Sequence, residues 1–378
     1  MKILIDARLY GLENTGIGRY LINLIKELNR IKTDQQFTVL LRRDYYRDLK
    51  LESNWKKIQV DIGHYTLEEQ VKLPFIINKE KADLVHFPHL NVPIFYKGKY
   101  ILTCHDLTMQ KQGRNASKLP LPVYYLKRGP FLYIAEKAIN GAVRIIVPSM
   151  FVSKSITSYY GTDRSKISVI NEGIDKDKYL ASGNLGELET LAKYGLVNKN
   201  YFFYVGKVYP HKNVDIVIKA IKNLNESKER EALFVIAGAQ DEFMGRLVKL
   251  INSIRVKDYI KLLGFVKDED LRILYRYALG FVYPSLSEGF GLQGLEAIAS
   301  GSTLLCSNIE TFKEIYGRYA FYFNPMDVNS VSSTMFSVLN MSELDKRKYI
   351  NSAQKFIDKY SWTKMAEETL SVYHSALE

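Results

Sequence analysis

The chain has 378 residues, 47% hydrophobic and 25% charged, with a formal net charge of +12 and two cysteines. That length points to two or three domains, each large enough for its own core, and the composition is that of an ordinary globular protein. It excludes a disulfide-stapled secreted scaffold, and no apolar run approaches the roughly 18 residues that cross a bilayer. The positive excess calls for an anionic partner; nucleic acid, an anionic membrane face and a diphosphate substrate all fit it. Lysines and arginines are scattered without a continuous stripe, which disfavours a dedicated nucleic-acid binder. The 27 tyrosines, mixed with lysine, suit a surface resting against lipid headgroups.

The N-terminus enters a strand pattern directly, KILIDAR, without the apolar h-region of a signal peptide. The expected setting is cytoplasmic, with Cys104 and Cys306 as buried thiols, each at the end of an apolar run. LENTGIGRY reads as a glycine loop feeding an amphipathic helix, LINLIKELNRI. Gly16 and Gly18 lack a Cβ and let that loop approach a ligand, though a tight βα turn with no ligand explains them equally well. Short strands follow at FTVLL, KIQVDI and DLVHF. YILTCHDL is an apolar strand ending in His105 and Asp106, and in open α/β sheets the ligand crevice lies beyond the carboxyl ends of the strands. Residues 115–139 mix basic residues, tyrosine and proline. That is the composition of an acceptor or membrane surface, or of a plain solvated loop and helix. VRIIVPS, FVSKSITSYYG and ISVINEGID complete a first α/β unit.

After Ile174 the chain turns polar, and the domain boundary is placed there: 1–173, 174–360, and a last helix over 361–378 that returns to the first domain. The second unit starts like the first, with the aromatic strand YFFYV, Gly206, and a loop flanked by Lys207 and Lys212. Two lysines at the carboxyl end of a strand neutralise a diphosphate, or are merely solvated. ALFVIAG, YIKLLGFV and LGFVYPS then alternate with helical patterns, which argues a parallel sheet covered on both faces, twice over. The stretch PSLSEGFGLQGLEAIASG, residues 284–301, reads as the end of a buried strand, a glycine turn and a helix start. The first N–H groups of such a helix lack intrahelical partners and sit at the positive end of its dipole, so they suit a phosphate. Glu288 precedes this helix and Glu296 lies about 7.5 Å further along. Two carboxylates therefore bracket one anion site and can accept from the hydroxyls at either end of a nucleotide sugar. A bare turn with two solvated acids is the alternative, because one glycine-rich helix start is a weak signal.

In this order the motifs resemble the family-4 retaining glycosyltransferases, which have the GT-B fold. The most specific is the E-x7-E spacing of Glu288 and Glu296. It is joined by the GIGRY loop, HDL at 105–107, INEGID at 170–175, VGKVYPHKN at 205–213, LLGFV at 262–266 and SW at 361–362. The resemblance spans essentially the whole chain and implies an α/β fold of two Rossmann-like domains facing across a cleft, the first binding acceptor and the second the nucleotide sugar. It implies that Glu288 contacts hydroxyls of the transferred sugar and Glu296 the ribose. The amides of Phe290, Gly291 and Leu292 would meet the diphosphate or sugar, with Lys207 and Lys212 opposite its charge. Gly264, Phe265 and Val266 would line the base pocket, Gly16 would approach the phosphate, and His105 would lie near the reacting face of the sugar. Two positions depart from the pattern. Lysine stands at 207 where the family more often has arginine, which loses a bidentate fork but keeps the charge. NEGID replaces the family's PNGVD, so the effect of Glu172 is open.

The chemistry implied is transfer of a hexose with retention, from a nucleotide-diphosphate donor to a glycan or lipid-linked glycan, with no cofactor and no metal. No Asp-x-Asp follows a strand and no His/Cys cluster has metal spacing. The DAR and HFPHLNVP stretches look like bacterial mannosyltransferases of surface polysaccharide synthesis, which favours GDP-mannose slightly over a UDP-sugar. Contact with the inner face of the cell membrane is the further partner expected, and nucleic acid is not one. Two rival classes stand beside this reading: a nucleotide-sugar epimerase or hydrolase of the same fold, and a catalytically silent basic scaffold on a membrane. A pyridoxal phosphorylase would need a much longer chain.

Overall fold

The computed structural model describes residues 1–111, 120–180, 186–226 and 231–378. Its contacts divide the chain into two compact units, Met1–Gly173 with Tyr360–Glu378, and Ile174–Lys359.

Unit 1 is built on seven parallel strands: β1 (Lys2–Asp6), β2 (Gln36–Leu41), β3 (Trp55–Gln59), β4 (Leu84–Phe87), β5 (Tyr100–Thr103), β6 (Arg144–Val147) and β7 (Ile167–Val169). They lie in the order β3-β2-β1-β4-β5-β6-β7. Most are short apolar runs because a parallel sheet is covered on both faces; Ile3, Leu4 and Ile5 of β1 are all fully buried. The covering helices are α1 (Thr15–Arg30), α2 (Arg43–Tyr46), α3 (Leu67–Lys79), α4 (Thr108–Lys111), α5 (Leu121–Gly141) and α6 (Met150–Tyr160). Helix α1 buries Leu21, Leu24, Ile25 and Leu28, the helical spacing expected of its sequence.

Unit 2 repeats the plan with β8 (Tyr201–Val205), β9 (Leu233–Ala237), β10 (Ile260–Gly264), β11 (Gly280–Tyr283), β12 (Leu304–Ser307) and β13 (Phe321–Phe323), ordered β10-β9-β8-β11-β12-β13. Its helices are α7 (Lys176–Leu180), α8 (Gly186–Lys193), α9 (Val214–Glu226), α10 (Glu242–Ser253), α11 (Asp268–Tyr277), α12 (Leu292–Ala299), α13 (Glu310–Tyr316), α14 (Val328–Leu339) and α15 (Glu343–Phe356). The chain then re-enters unit 1 as α16 (Trp362–Ser375), which packs on α1. Two doubly wound parallel sheets and a returning last helix are the architecture that the alternation predicts. Both cysteines are free and buried.

In each sheet the strand order reverses once, between β1 and β4 in unit 1 and between β8 and β11 in unit 2. Loops leaving the carboxyl ends on either side of such a reversal part from one another and open a crevice.

One local expectation is overturned. The GIGRY segment is not a loop ahead of the helix: α1 begins at Thr15, so Gly16 and Gly18 lie inside its first turns. Gly18 is required by packing, because a Cβ there would run into the carbonyl oxygen of Gly11. Gly16 faces open space, with nothing within 4 Å of a Cβ built on it. The mixed stretch at 115–139 is helix α5 from Leu121 onward, while 115–119 lie outside the described residues.

Candidate functional site

In unit 2 the loops after β8 and β11 flank the point of reversal. The β8 loop turns through a short 3-10 segment, Pro210–Lys212, and Asn213 follows in the left-handed region with φ 54°. The Leu286 amide donates to the His211 carbonyl at 2.8 Å and clips the two loops together. Lys212 and Glu288, 76 positions apart, meet there: Nζ lies 2.5 Å from Oε1, with both side chains largely shielded from solvent. The Lys212 ammonium also sits 5.9 Å from the centre of the Tyr283 ring. Burial and then the charge of Glu288 push the phenols of Tyr204 and Tyr283 well above their ordinary range, so both stay neutral.

Beyond Glu288 the chain turns at Gly291, φ +105°, where a side chain would strike Phe312 and Tyr316. The Tyr316 hydroxyl donates to the Gly291 carbonyl. Helix α12 therefore starts at Leu292 on a fixed turn, with buried Phe290 behind it. Gln293, which sequence reasoning passed over, donates to the Val205 carbonyl at 2.8 Å and ties the start of α12 to the end of β8. Gly206 completes that junction: it has φ +137°, and a Cβ on it would lie 3.0 Å from the Gln293 amide nitrogen. Glu296, one turn into α12, is 4% exposed. Lys207 is exposed beside Tyr209 and has no ion pair among the described residues. At the end of β10, Gly264 turns with φ +71° and accepts from the Gly238 amide at 2.9 Å. Val266 is buried, whereas Phe265 is 84% exposed, a bare aromatic face at a strand's carboxyl end.

Unit 1 places His105 just after β5. Its Nδ1 is 3.0 Å from Oε1 of Glu172, and its ring meets Tyr20 edge-on at 4.8 Å. Glu172, the residue that departs from the family pattern, is thus the partner that orients the imidazole. Behind it runs a buried chain: Tyr20 to Thr103 at 3.2 Å, Thr103 to His86 Nε2 at 2.7 Å, and His86 Nδ1 to Tyr373 of α16 at 2.8 Å. Burial, reinforced by the neighbouring His105 and His89, drives the His86 pKa down to about 3.

A second unit 1 cluster was not anticipated. The fully buried Arg8 guanidinium donates to both oxygens of Asp6, at 2.8 and 2.7 Å, to Glu69 at 2.7 Å and to the Ile62 carbonyl at 3.1 Å. His64 and Asn91 close on Glu69, and His89 on Asp6. Burial works to raise the Asp6 pKa, but Arg8 and His89 outweigh it and hold the carboxyl well below the usual range. Among the described residues no group of three or more His, Cys, Asp or Glu could hold a metal ion.

Family models match each unit in turn. Residues 14–178 match the model described as Glycosyltransferase Family 4, and residues 189–356 match Glycosyl transferases group 1. The chain is a glycosyltransferase. The glycosyltransferase is 25% identical over 380 aligned positions to the O-antigen chain mannosyltransferase RfbU of Salmonella typhimurium, with 97% of each chain covered. It is 24% identical to O-antigen chain mannosyltransferase B of Escherichia coli, with 99% of each covered. Among solved structures, Anabaena HepE in complex with UDP-glucose superposes with a TM-score of 0.76 at 15% identity, covering 99% of this chain and 100% of that one. WaaG, a glycosyltransferase involved in lipopolysaccharide biosynthesis, does so at 0.73 and 16%, covering 98% and 99%. At those identities the two structures speak for the GT-B fold of the glycosyltransferase.

Proposed function

We propose that the glycosyltransferase moves mannose from GDP-mannose to a glycan or lipid-linked glycan acceptor, with retention at the anomeric carbon and without metal. The observation that carries this reading is the Lys212–Glu288 pair, held at the strand-order reversal beside the start of α12. In the proposal, Lys212, Lys207 and the amides of Phe290, Gly291 and Leu292 face the diphosphate. Lys212 and the turn at Gly291 are held before reaction, so charge building on the leaving group is stabilised with little reorganisation, commonly the largest catalytic contribution. Glu288 takes hydroxyls of the transferred sugar, and its ion pair with Lys212 keeps both charges in place until the donor arrives. Glu296 takes the ribose, and Gly264, Phe265 and Val266 take the base. The acceptor hydroxyl attacks from the face the diphosphate leaves and gives its proton to the departing phosphate oxygen, so no enzyme carboxylate serves as nucleophile. Mannose is favoured by the two O-antigen chain mannosyltransferases that match the chain end to end.

Thermal-shift titration with GDP, UDP, GDP-mannose and UDP-glucose, followed by transfer in the presence of a chelator, tests it. Stabilisation by GDP-mannose and chelator-resistant turnover are the expected results. Stabilisation by UDP-glucose alone would transfer the reading to a UDP-sugar, and turnover without any acceptor would favour an epimerase or hydrolase.

A further inference from the structure

We infer that Glu172 is a positioning residue: it fixes the tautomer of His105, so that Nε2 on the other side of the ring is an acceptor held ready for a hydroxyl of a sugar substrate. The inference rests on the glycosyl-transfer reading above for the identity of the ligand, whereas the tautomer is independent of that reading.

Nδ1 of His105 is 3.0 Å from Oε1 of Glu172. A carboxylate has no proton to offer, so in the neutral ring Nδ1 carries the hydrogen and Nε2 the lone pair. The other tautomer would set a lone pair against an anion. Nε2 is buried and makes no hydrogen bond among the described residues. Buried polar atoms are nearly always paired, and an orphan costs stability. His86, on the neighbouring strand, shows what a histidine of the core does: both its nitrogens are bonded, to Tyr373 and to Thr103. His105 uses only one, and it follows β5 at the carboxyl edge of the sheet, where such folds take their ligands. Its side chain keeps 14% of its surface exposed, which leaves an approach to the ring.

The carboxylate is itself held in place. The Ile170 amide donates to the Val147 carbonyl at 2.9 Å, and Asn171 Nδ2 donates to the Pro148 carbonyl at 2.8 Å. On the other side of Glu172, Gly173 packs so closely on Ser361 and Trp362 that a Cβ there would run into the Trp362 amide nitrogen. Trp362 opens α16. The second support of the imidazole is the edge-on Tyr20 ring, whose hydroxyl leads through Thr103 and His86 to Tyr373, near the far end of the same helix. The two supports of His105 therefore reach the two ends of α16, and a ring flip would break the bond to Glu172. The ligand follows from the charge. A phosphate oxygen brings no proton and would meet the negative charge of Glu172, so the group suited to Nε2 is a neutral donor, and in glycosyl transfer that is a sugar hydroxyl. Position 172 is also where the chain leaves the sequence pattern it otherwise follows, which makes the carboxylate a device of this chain.

The test has two readings. In long-range proton–nitrogen correlation spectra of the free protein above neutral pH, the His105 ring, assigned by its loss in His105→Gln, is expected as the Nδ1–H tautomer. Glu172→Leu should abolish that preference. In steady-state transfer, Glu172→Leu should lower kcat by about 10–100-fold with the donor KM unchanged, and Glu172→Gln, which keeps an acceptor opposite Nδ1, should recover most of the loss. In a His105→Gln background Glu172→Leu should cost no further activity; an equal loss there would show a merely structural role and overturn the inference. An Nε2–H tautomer in the wild type, or full kcat in Glu172→Leu, overturns it as well. The wild-type spectrum needs neither a variant nor a donor, so it decides the tautomer even where the donor assignment fails.

Discussion

The carboxyl edges of the two sheets follow one topological rule and end in opposite chemistry. At the edge of unit 1, Arg8 is sealed between Asp6 and Glu69, and His105 is held by Glu172. At the edge of unit 2, Lys207 is exposed, Phe265 is bare, and the Lys212–Glu288 pair keeps part of its surface open to solvent. The contrast teaches that clustered charge does not by itself mark a ligand site. Where the ions are buried and mutually neutralised, they fix loops; the proposed donor site uses the ions that keep some exposure.

The contrast is broken most severely at Arg8. Arg8→Met leaves two buried carboxylates uncompensated and should lower stability by about 3–5 kcal/mol, read as a fall in the urea midpoint; a loss below 1 kcal/mol would remove the structural role. Next come Lys212→Ala and Glu288→Ala, which should each reduce transfer by about 10²–10³-fold while circular dichroism and the melting midpoint stay near wild type. Comparable turnover by either variant ends its assignment.

Acid sharpens the contrast further. The His86 pKa is lowered from 6.5 to about 3 in the folded protein. The unfolded chain therefore binds the extra proton, and stability present above pH 6.5 is lost as pH falls through that value towards 3. The loss should reach about 2 kcal/mol between pH 7 and pH 5, and His86→Gln should flatten that part of the urea-midpoint profile. The smallest effect is expected at Phe265. Phe265→Ala removes a stacking face worth about 1 kcal/mol or more, so nucleotide affinity by calorimetry should fall by roughly fivefold with the fold unaffected.

Much of unit 2 was legible because its signals are local. Strand, glycine turn and helix follow one another within 284–301, and α12 starts where that pattern places it. The Lys212–Glu288 contact is not local, since it depends on β8 and β11 becoming neighbours, yet each residue could be singled out as a charge in the loop that follows a strand's carboxyl end. The Arg8 cluster gave no such cue. Asp6 and Arg8 sit in one short run, but Glu69, His64 and His89 reach them only after α3 docks and β4 pairs with β1. Gly16 and Gly18 misled for the opposite reason: two glycines near a helix start favour a loop on propensity, whereas the packing of Gly18 on Gly11 fixes a helix. Helix α5 was obscured by Pro122 and Pro130 and by an apolar face with no periodicity.

The return of α16 to unit 1 has a consequence for biosynthesis. Tyr373 closes the chain that runs through His86 and Thr103, so the place that α16 takes beside α1 stays unfilled while the 186 residues of unit 2, Ile174–Lys359, are still being translated, roughly 10–40 s at ordinary elongation rates. Unit 2 has all its strands contiguous and can fold as it emerges. The unit made first is therefore the unit finished last, and during that interval its open flank is the part of the nascent polypeptide that a chaperone would have to guard.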